Sequence, residues 1–118
     1  MSTKLLIKTK SKNYPIFIGK NILKKIKNIF KFNNINFNKC LIVVDKKVPK
    51  KNLIILKKNI KCKEIIIYLL NSSEKNKNQN TINKILEKLF KYNFKRNDII
   101  ISLGGGITGD VSGYAASI

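Results

Sequence analysis

The 118-residue chain contains no histidine and no tryptophan, and it has only two cysteines and six acidic residues. The absence of histidine removes the side chain used most often for proton transfer near neutral pH and for binding metal ions. Cys40 and Cys62 form no Cys-x-x-Cys pair and lie in or beside apolar segments. We therefore expect two small buried apolar side chains rather than a disulfide or a metal site.

Long apolar runs are also missing. Residues 1–10 hold only the short run Leu5-Leu6-Ile7 among lysines, which does not fit a secretory signal peptide. No stretch reaches the roughly 20 apolar residues that a membrane-spanning helix needs. The expected location is therefore the cytoplasm, with no membrane partner.

What the chain has in excess is lysine, which gives a formal net charge of +19. Such a charge raises the alternative of a small basic nucleic-acid-binding protein. However, all the basic residues except Arg96 are lysines spread evenly along the chain, as an AT-rich genome would impose through its codons. Nucleic-acid modules usually mix arginine with interleaved aromatic residues, and none is recognisable here. Specific nucleic-acid binding is not expected, although non-specific binding of polyanions at low salt is.

Periodic apolar residues predict an alternating order of strands and helices after an opening pair of strands. This alternation predicts an α/β fold, with a Rossmann-like, mostly parallel sheet and helices on both faces. Residues 1–118 are expected to form one domain, with no internal repeat. The predicted strands are Lys4–Thr9, Tyr14–Ile18, Cys40–Val44, Glu64–Leu70 and Ile99–Leu103, and the predicted helices are 22–30, Pro49–Ile60 and Thr81–Lys91, with a further helix after Gly109.

The most informative stretch is Leu103–Ala116, where an apolar strand runs into three consecutive glycines and then into a predicted helix. Glycines let a ligand approach the backbone closely, and the N–H groups at the start of a helix favour an anion. Asp110 lies in the first turn of that helix, where a carboxylate stabilises the turn or contacts a polar ligand. From these residues alone, a glycine-rich turn without a ligand remains an alternative.

Two other positions allow both a structural and a functional interpretation. Asp45 ends a strand with an apolar run typical of burial on both faces, so it caps the next turn or holds a ribose at the carboxyl edge of the sheet. The polar loop Asn71–Asn80 contains Glu74 and Lys77. Charged loops usually face solvent, so this one carries no functional weight by itself.

The glycine stretch resembles the GGGxxGDxxG(F/Y)xA signature of the 3-dehydroquinate synthase family, and the resemblance extends over the whole chain. The additional segments that resemble the family are Tyr14-Pro15-Ile16, Ile18-Gly19, Leu41–Asp45, Glu74-x-x-Lys77 and Arg96-x-Asp98. The resemblance implies an enzyme of the shikimate pathway that converts 3-deoxy-arabino-heptulosonate 7-phosphate to 3-dehydroquinate and phosphate. NAD acts as a recycled catalyst in that reaction, and a divalent metal, zinc or cobalt, belongs to a helical C-terminal domain.

The resemblance also implies a role for each matching residue. Asp45 would hold the ribose on the adenine side, and Glu74 and Lys77 would line the cofactor. Asp110 would lie beside the nicotinamide end of the cofactor. The backbone N–H groups that would face the pyrophosphate belong to Gly105, Gly106, Ile107, Thr108 and Gly109.

The family pattern differs from this chain at two places. The family usually has Asp-Gly where this chain has Ser72-Ser73, and the metal ligands and most substrate-binding residues are expected beyond Ile118. The expectation is therefore an N-terminal fragment that is inactive alone, with no catalytic residue assigned, from an enzyme that forms a homodimer. The alternatives are another sugar-phosphate cyclase, an enzyme like the iron-dependent alcohol dehydrogenases, the nucleic-acid-binding protein above, and a degenerate product that folds poorly.

Overall fold

The computed structural model describes residues 2–8, 13–19, 22–32, 34–71, 79–95, 97–105, 109–112 and 115, with side chains from residue 23 onward. Two strands come first and pair antiparallel, and three parallel strands separated by helices follow. The elements are β1 (Ser2–Lys8), β2 (Asn13–Gly19), α1 (Ile22–Phe32), β3 (Lys39–Asp45), α2 (Lys50–Lys58), β4 (Glu64–Leu70), α3 (Gln79–Lys91) and β5 (Ile99–Leu103).

The parallel sheet has the strand order β4-β3-β5, so β3 is central among the described strands. Residues 40–45 of β3 are all buried, as the continuous apolar run predicts for a strand covered on both sides. Cys40 is fully buried within this strand, which confirms the expectation from its apolar surroundings.

Each face of the sheet has its own hydrophobic core, because successive side chains of a strand point to opposite faces. On one face, Leu41 and Val43 pack with Ile85 of α3 and with Val111 and Ala115. On the other face, Ile42 and Val44 pack with Leu56 of α2, and the partly buried Leu23 and Ile26 of α1 join them. The predicted α/β fold, with helices on both faces of a parallel sheet, is therefore confirmed.

Local backbone geometry ends helices α1 and α3 at Phe32 and Lys91, in agreement with the predicted loop from Asn33 and the predicted end at Lys91. Helices α1 and α3 are both followed by an asparagine with a positive φ of 56°, Asn34 and Asn93. After each of them the next residue bonds back to the helix, through Ile35 N–H to the Phe30 carbonyl and Phe94 N–H to the Leu89 carbonyl, both at 2.9 Å. Asparagine tolerates this left-handed conformation, which closes a helix as glycine usually does.

None of the helices in the described ranges is long and apolar enough to cross a membrane.

Candidate functional site

The three parallel strands end almost level at the carboxyl edge of the sheet. Asp45 of β3 is in register with Leu70 of β4, and Val44 is in register with Leu103 of β5. The chain segments that leave these ends are the turn after Asp45, the loop beginning at Asn71, and the glycines at Gly104 and Gly105. Ligands of open α/β sheets bind outside this edge, so the geometry brings the predicted ribose-binding carboxylate beside the glycine loop.

Asp45 ends the central strand and organises the turn that follows it. Its side chain is only 6% exposed, and its Oδ1 accepts the backbone N–H of Lys47 at 2.9 Å. The Asp45 carbonyl accepts the N–H of Val48 at 2.9 Å, and the Lys46 N–H donates to the Leu70 carbonyl at 2.9 Å. The predicted capping role is therefore present. A carboxylate has about four acceptor positions, so capping does not exclude a ligand, and the ribose contact stays a prediction.

The glycine segment after β5 is exposed and leaves open space above its backbone. Gly104 has a φ of 158°, a value that residues with a Cβ rarely adopt. Gly105 and Gly109 are exposed, and a Cβ placed on either one meets no atom within 4 Å among the described residues. A ligand could therefore approach the backbone at both positions, which is the property that a dinucleotide phosphate site requires.

The helical residues 109–112 are held against the sheet from one side. The Gly109 N–H donates to the Gly105 carbonyl at 3.1 Å, so this amide is already part of the first helical turn. Val111, Ser112 and Ala115 are buried, whereas Gly109 and Asp110 face outward. The packing thus fixes the start of the helix while its first turn stays accessible. The Gly109 N–H already donates to the Gly105 carbonyl. Its predicted hydrogen bond to a pyrophosphate would therefore have to be a second, bifurcated bond from the same N–H group.

Ser112 is a polar residue in this helix that the sequence reasoning did not single out. Its side chain is 3% exposed, and Oγ has no hydrogen-bond partner among the described residues. Ser112 follows Val111 in a helix made largely of small residues. Nothing in this pattern predicts that the serine is buried.

Several predicted site residues lie outside the described ones, namely Glu74, Lys77, Gly106, Ile107 and Thr108. Their roles stay predictions. Among the residues that are described, no group of three or more His, Cys, Asp or Glu side chains could hold a metal ion.

Burial dominates the chemistry of the two thiols. Burial raises the pKa of Cys40 to about 12, and the nearby Cys62 thiol adds to this shift. The pKa of Cys62 is also raised, mainly by burial. Its Sγ donates to the Glu64 carbonyl at 3.3 Å. Both thiols are free cysteines, and neither carries a reactive thiolate near neutral pH.

Comparisons with known proteins agree on one family. Residues 67–118 match the family model described as 3-dehydroquinate synthase N-terminal. The chain is 50% identical over 114 residues to 3-dehydroquinate synthase from Pelagibacter ubique, covering 97% of this chain and 31% of that protein. It is 36% identical over 117 residues to the Clostridium kluyveri enzyme of the same name, covering 94% of this chain and 31% of that protein.

Solved structures show the same fold. A crystal structure of 2-deoxy-scyllo-inosose synthase superimposes with a TM-score of 0.86 at 21% identity, covering 98% of this chain and 33% of that one. A second structure of that synthase, in complex with carbaglucose-6-phosphate, NAD+ and Co2+, gives a TM-score of 0.81 at 21% identity, covering 98% of this chain and 31% of that one. The chain therefore spans about a third of the length of the proteins it matches.

Proposed function

We propose, because the chain belongs to the 3-dehydroquinate synthase family, that residues 1–118 form the NAD-binding α/β domain of such an enzyme. The reaction proposed for the whole protein is the conversion of 3-deoxy-arabino-heptulosonate 7-phosphate to 3-dehydroquinate with release of phosphate. NAD would reversibly accept the hydride from the carbon that bears a substrate hydroxyl.

The observation that carries this proposal is the arrangement of the carboxyl edge. Asp45 lies at the end of the central strand, and the exposed Gly104 and Gly105 lie at the end of its neighbour. The open space above Gly105 is compatible with close approach of a ligand to the main chain. The residues present therefore fit a dinucleotide.

Within this site, each part of the chain has a distinct task. The Asp45 carboxylate would accept hydrogen bonds from ribose hydroxyls, and its burial limits the orientations it can take. Backbone N–H groups of the glycine segment would donate to the pyrophosphate, with Gly105, Gly106, Ile107, Thr108 and Gly109 as candidates. Glu74, Lys77 and Asp110 remain candidates through the family resemblance.

The divalent metal of the proposed reaction has no assigned ligand in this part of the protein. The described residues offer no cluster of metal-binding side chains, so no step of the chemistry is assigned to them through a metal.

A titration of the chain with NAD, followed calorimetrically, tests the cofactor site. In the variant Gly105→Val the added Cβ meets no described atom within 4 Å, and circular dichroism of the variant checks that it folds. Its side chain would occupy the space proposed for the pyrophosphate, so we expect NAD affinity to fall tenfold or more. The matched control is Ser102→Val, which adds bulk at an exposed position of β5 before the glycines and should bind within twofold of the parent chain. Saturable binding that Gly105→Val leaves unchanged would contradict the proposed site, and absence of binding to the parent chain would contradict the cofactor role.

The alternative function is that of a different sugar-phosphate cyclase, because the fold matches 2-deoxy-scyllo-inosose synthase with a TM-score of 0.86. The 50% identity to a 3-dehydroquinate synthase favours the first assignment over a likeness at 21% identity. Turnover of 3-deoxy-arabino-heptulosonate 7-phosphate by a protein that contains this domain, and its inhibition by carbaglucose-6-phosphate, the ligand in the second synthase structure, separate the two. Sedimentation of that protein would test the predicted homodimer.

A further inference from the structure

A groove of about 540 Å³ lies at the amino edge of the parallel sheet, and we call it the amino-edge groove. It is bounded by the C-terminal half of α1 and by the segments that lead into the three parallel strands. Asn38 precedes β3, Lys61 precedes β4 and Asn97 precedes β5. Because the strands are parallel, this groove is at the opposite end of the sheet from Asp45 and the glycines.

Three lysines converge on the amino-edge groove. Lys27 and Lys31 are four residues apart on α1 and so lie on one face of that helix, and Lys61 approaches from the loop after α2. The close approach of Lys61 lowers the pKa of Lys27 below its usual value, and loss of hydration and the charge of Lys31 add to the effect. Like charges held this close repel each other, and an anion placed between them would remove the repulsion.

Acidic groups near the groove do not neutralise these lysines. None of the described residues that line it is acidic. Asp98, which follows the lining residue Asn97, directs its carboxylate to the backbone N–H groups of Asn38, Lys39 and Lys95. The groove therefore keeps a net positive charge.

The walls of the groove also offer an apolar surface and amide groups. Phe30 and Phe37 meet edge to face, with ring centroids 5.5 Å apart and an interplanar angle of 86°. The side chains of Asn34 and Asn59 are among its polar lining. A volume of about 540 Å³ falls in the range of small-molecule sites. The lining is mainly lysine and asparagine, with Phe30, Ile35 and Phe37 as its apolar part, which suits a charged ligand that also has an organic group.

We propose that the amino-edge groove binds a small organic polyphosphate, with Lys27, Lys31 and Lys61 contacting the phosphate oxygens and the Phe30–Phe37 pair contacting the organic part. This site is separate from the proposed NAD site and does not depend on it. A small molecule is favoured over a nucleic-acid strand because the three lysines line one groove of limited volume, about 540 Å³, beside an aromatic pair.

The test is a titration of the chain with adenosine triphosphate and with inorganic tripolyphosphate, followed by NMR of backbone amides at physiological ionic strength. We expect saturable shifts at Asn34–Asn38 and at Lys61, and we expect them to persist in Gly105→Val, which blocks the proposed NAD site. The double variant Lys27→Gln/Lys61→Gln should bind at least tenfold more weakly, and Lys27→Arg/Lys61→Arg should restore binding. The matched control is Lys84→Gln/Lys88→Gln, which removes the same charge from α3 and should bind within twofold of the parent chain.

Three results would overturn the proposal. The first is the absence of saturable shifts at the groove in the parent chain. The second is an equal loss of affinity in both double glutamine variants, which would mean attraction by net charge alone. The third is tighter binding of a single-stranded oligonucleotide than of adenosine triphosphate, with shifts spread over lysines outside the groove, which would assign the surface to a nucleic-acid strand.

Discussion

Asp98 joins the starts of two neighbouring strands, and removing its carboxylate should destabilise the sheet measurably. Oδ1 accepts the N–H groups of Asn38 at 3.2 Å and Lys39 at 2.9 Å, at the start of β3. Oδ2 accepts the N–H of Lys95 at 2.9 Å, in the segment that leads into β5. The side chain thus fixes the position of β5 relative to β3 before the two strands begin to pair.

The magnitude follows from the surroundings of these three bonds. The bond to Lys39 is partly buried, and a hydrogen bond to a charged group in such a place contributes about 1.5 kcal/mol. The bonds to Asn38 and Lys95 are exposed and contribute about 0.5 kcal/mol each, at the lower end of the usual range. We therefore expect Asp98→Ala to lower the free energy of unfolding by about 2.5 kcal/mol. Asp98→Asn keeps one acceptor oxygen and should cost about 1 kcal/mol.

Urea unfolding followed by circular dichroism measures this effect, with Glu87→Ala on the exposed face of α3 as the control. The control should change the free energy of unfolding by less than about 0.5 kcal/mol. An Asp98→Ala variant that also stays within about 0.5 kcal/mol of the parent chain would refute the assigned role.

The pH dependence gives a second check on the same residue. Burial by itself would raise the pKa of Asp98, but the N–H groups of Lys95, Lys39 and Asn38 and the charge of Lys39 hold this pKa below its usual value. A carboxyl whose folded pKa is lowered stabilises the fold above its unfolded pKa of about 3.9, and it loses that contribution as the pH falls through the folded pKa. The difference between the parent chain and Asp98→Ala should therefore be constant from pH 7 to about pH 5 and shrink below about pH 4.

Two further predictions concern the interior of the fold. At pH 8 without denaturant, iodoacetamide should modify Cys62 and leave Cys40 unmodified by peptide mass spectrometry, because Cys40 is fully buried and its pKa is raised to about 12; equal labelling of both thiols would contradict this. Ile85→Val should lower the free energy of unfolding in urea by about 1 kcal/mol, because Ile85 is fully buried against the sheet. The same change at Ile54, which is 53% exposed, should cost less than about 0.5 kcal/mol, and an equal effect at both positions would show that Ile85 is not part of a packed core.

The sequence predicts the strands well because burial on two faces leaves a direct pattern. The apolar run before Asp45 and the run Glu64–Leu70 lie within strands of the structure, the second with the same bounds. Helix ends are less predictable, because they depend on single residues. Helix α2 ends at Lys58 rather than at Ile60, since the N–H of Asn59 bonds to the Leu56 carbonyl and its side chain bonds to the Ile55 carbonyl.

For the candidate site, the sequence predicts where Asp45 and the glycines lie in the sheet better than it predicts which side chains contact each other. That Asp45 and the glycines meet at one edge follows from parallel strands of similar length, a rule that needs no side-chain detail. The Asp98 bonds and the amino-edge groove could not be predicted in this way. Asp98 reaches residues 59 and 60 positions away, and Lys27 and Lys61 come together only once α1 and α2 pack on the same face.

The two carboxylates at opposite ends of the sheet have different kinds of partner. At the amino edge, Asp98 accepts N–H groups from two segments and connects them, and a change there should act on folding rather than on a ligand. At the carboxyl edge, Asp45 caps its own turn, and the neighbouring Gly105 is exposed with open space above it. Surface turns carry binding residues because their backbone polar groups are open to solvent and to ligands. The proposed NAD site therefore uses the edge whose glycine segment is exposed, whereas the Asp98 bonds connect the strand starts at the opposite edge.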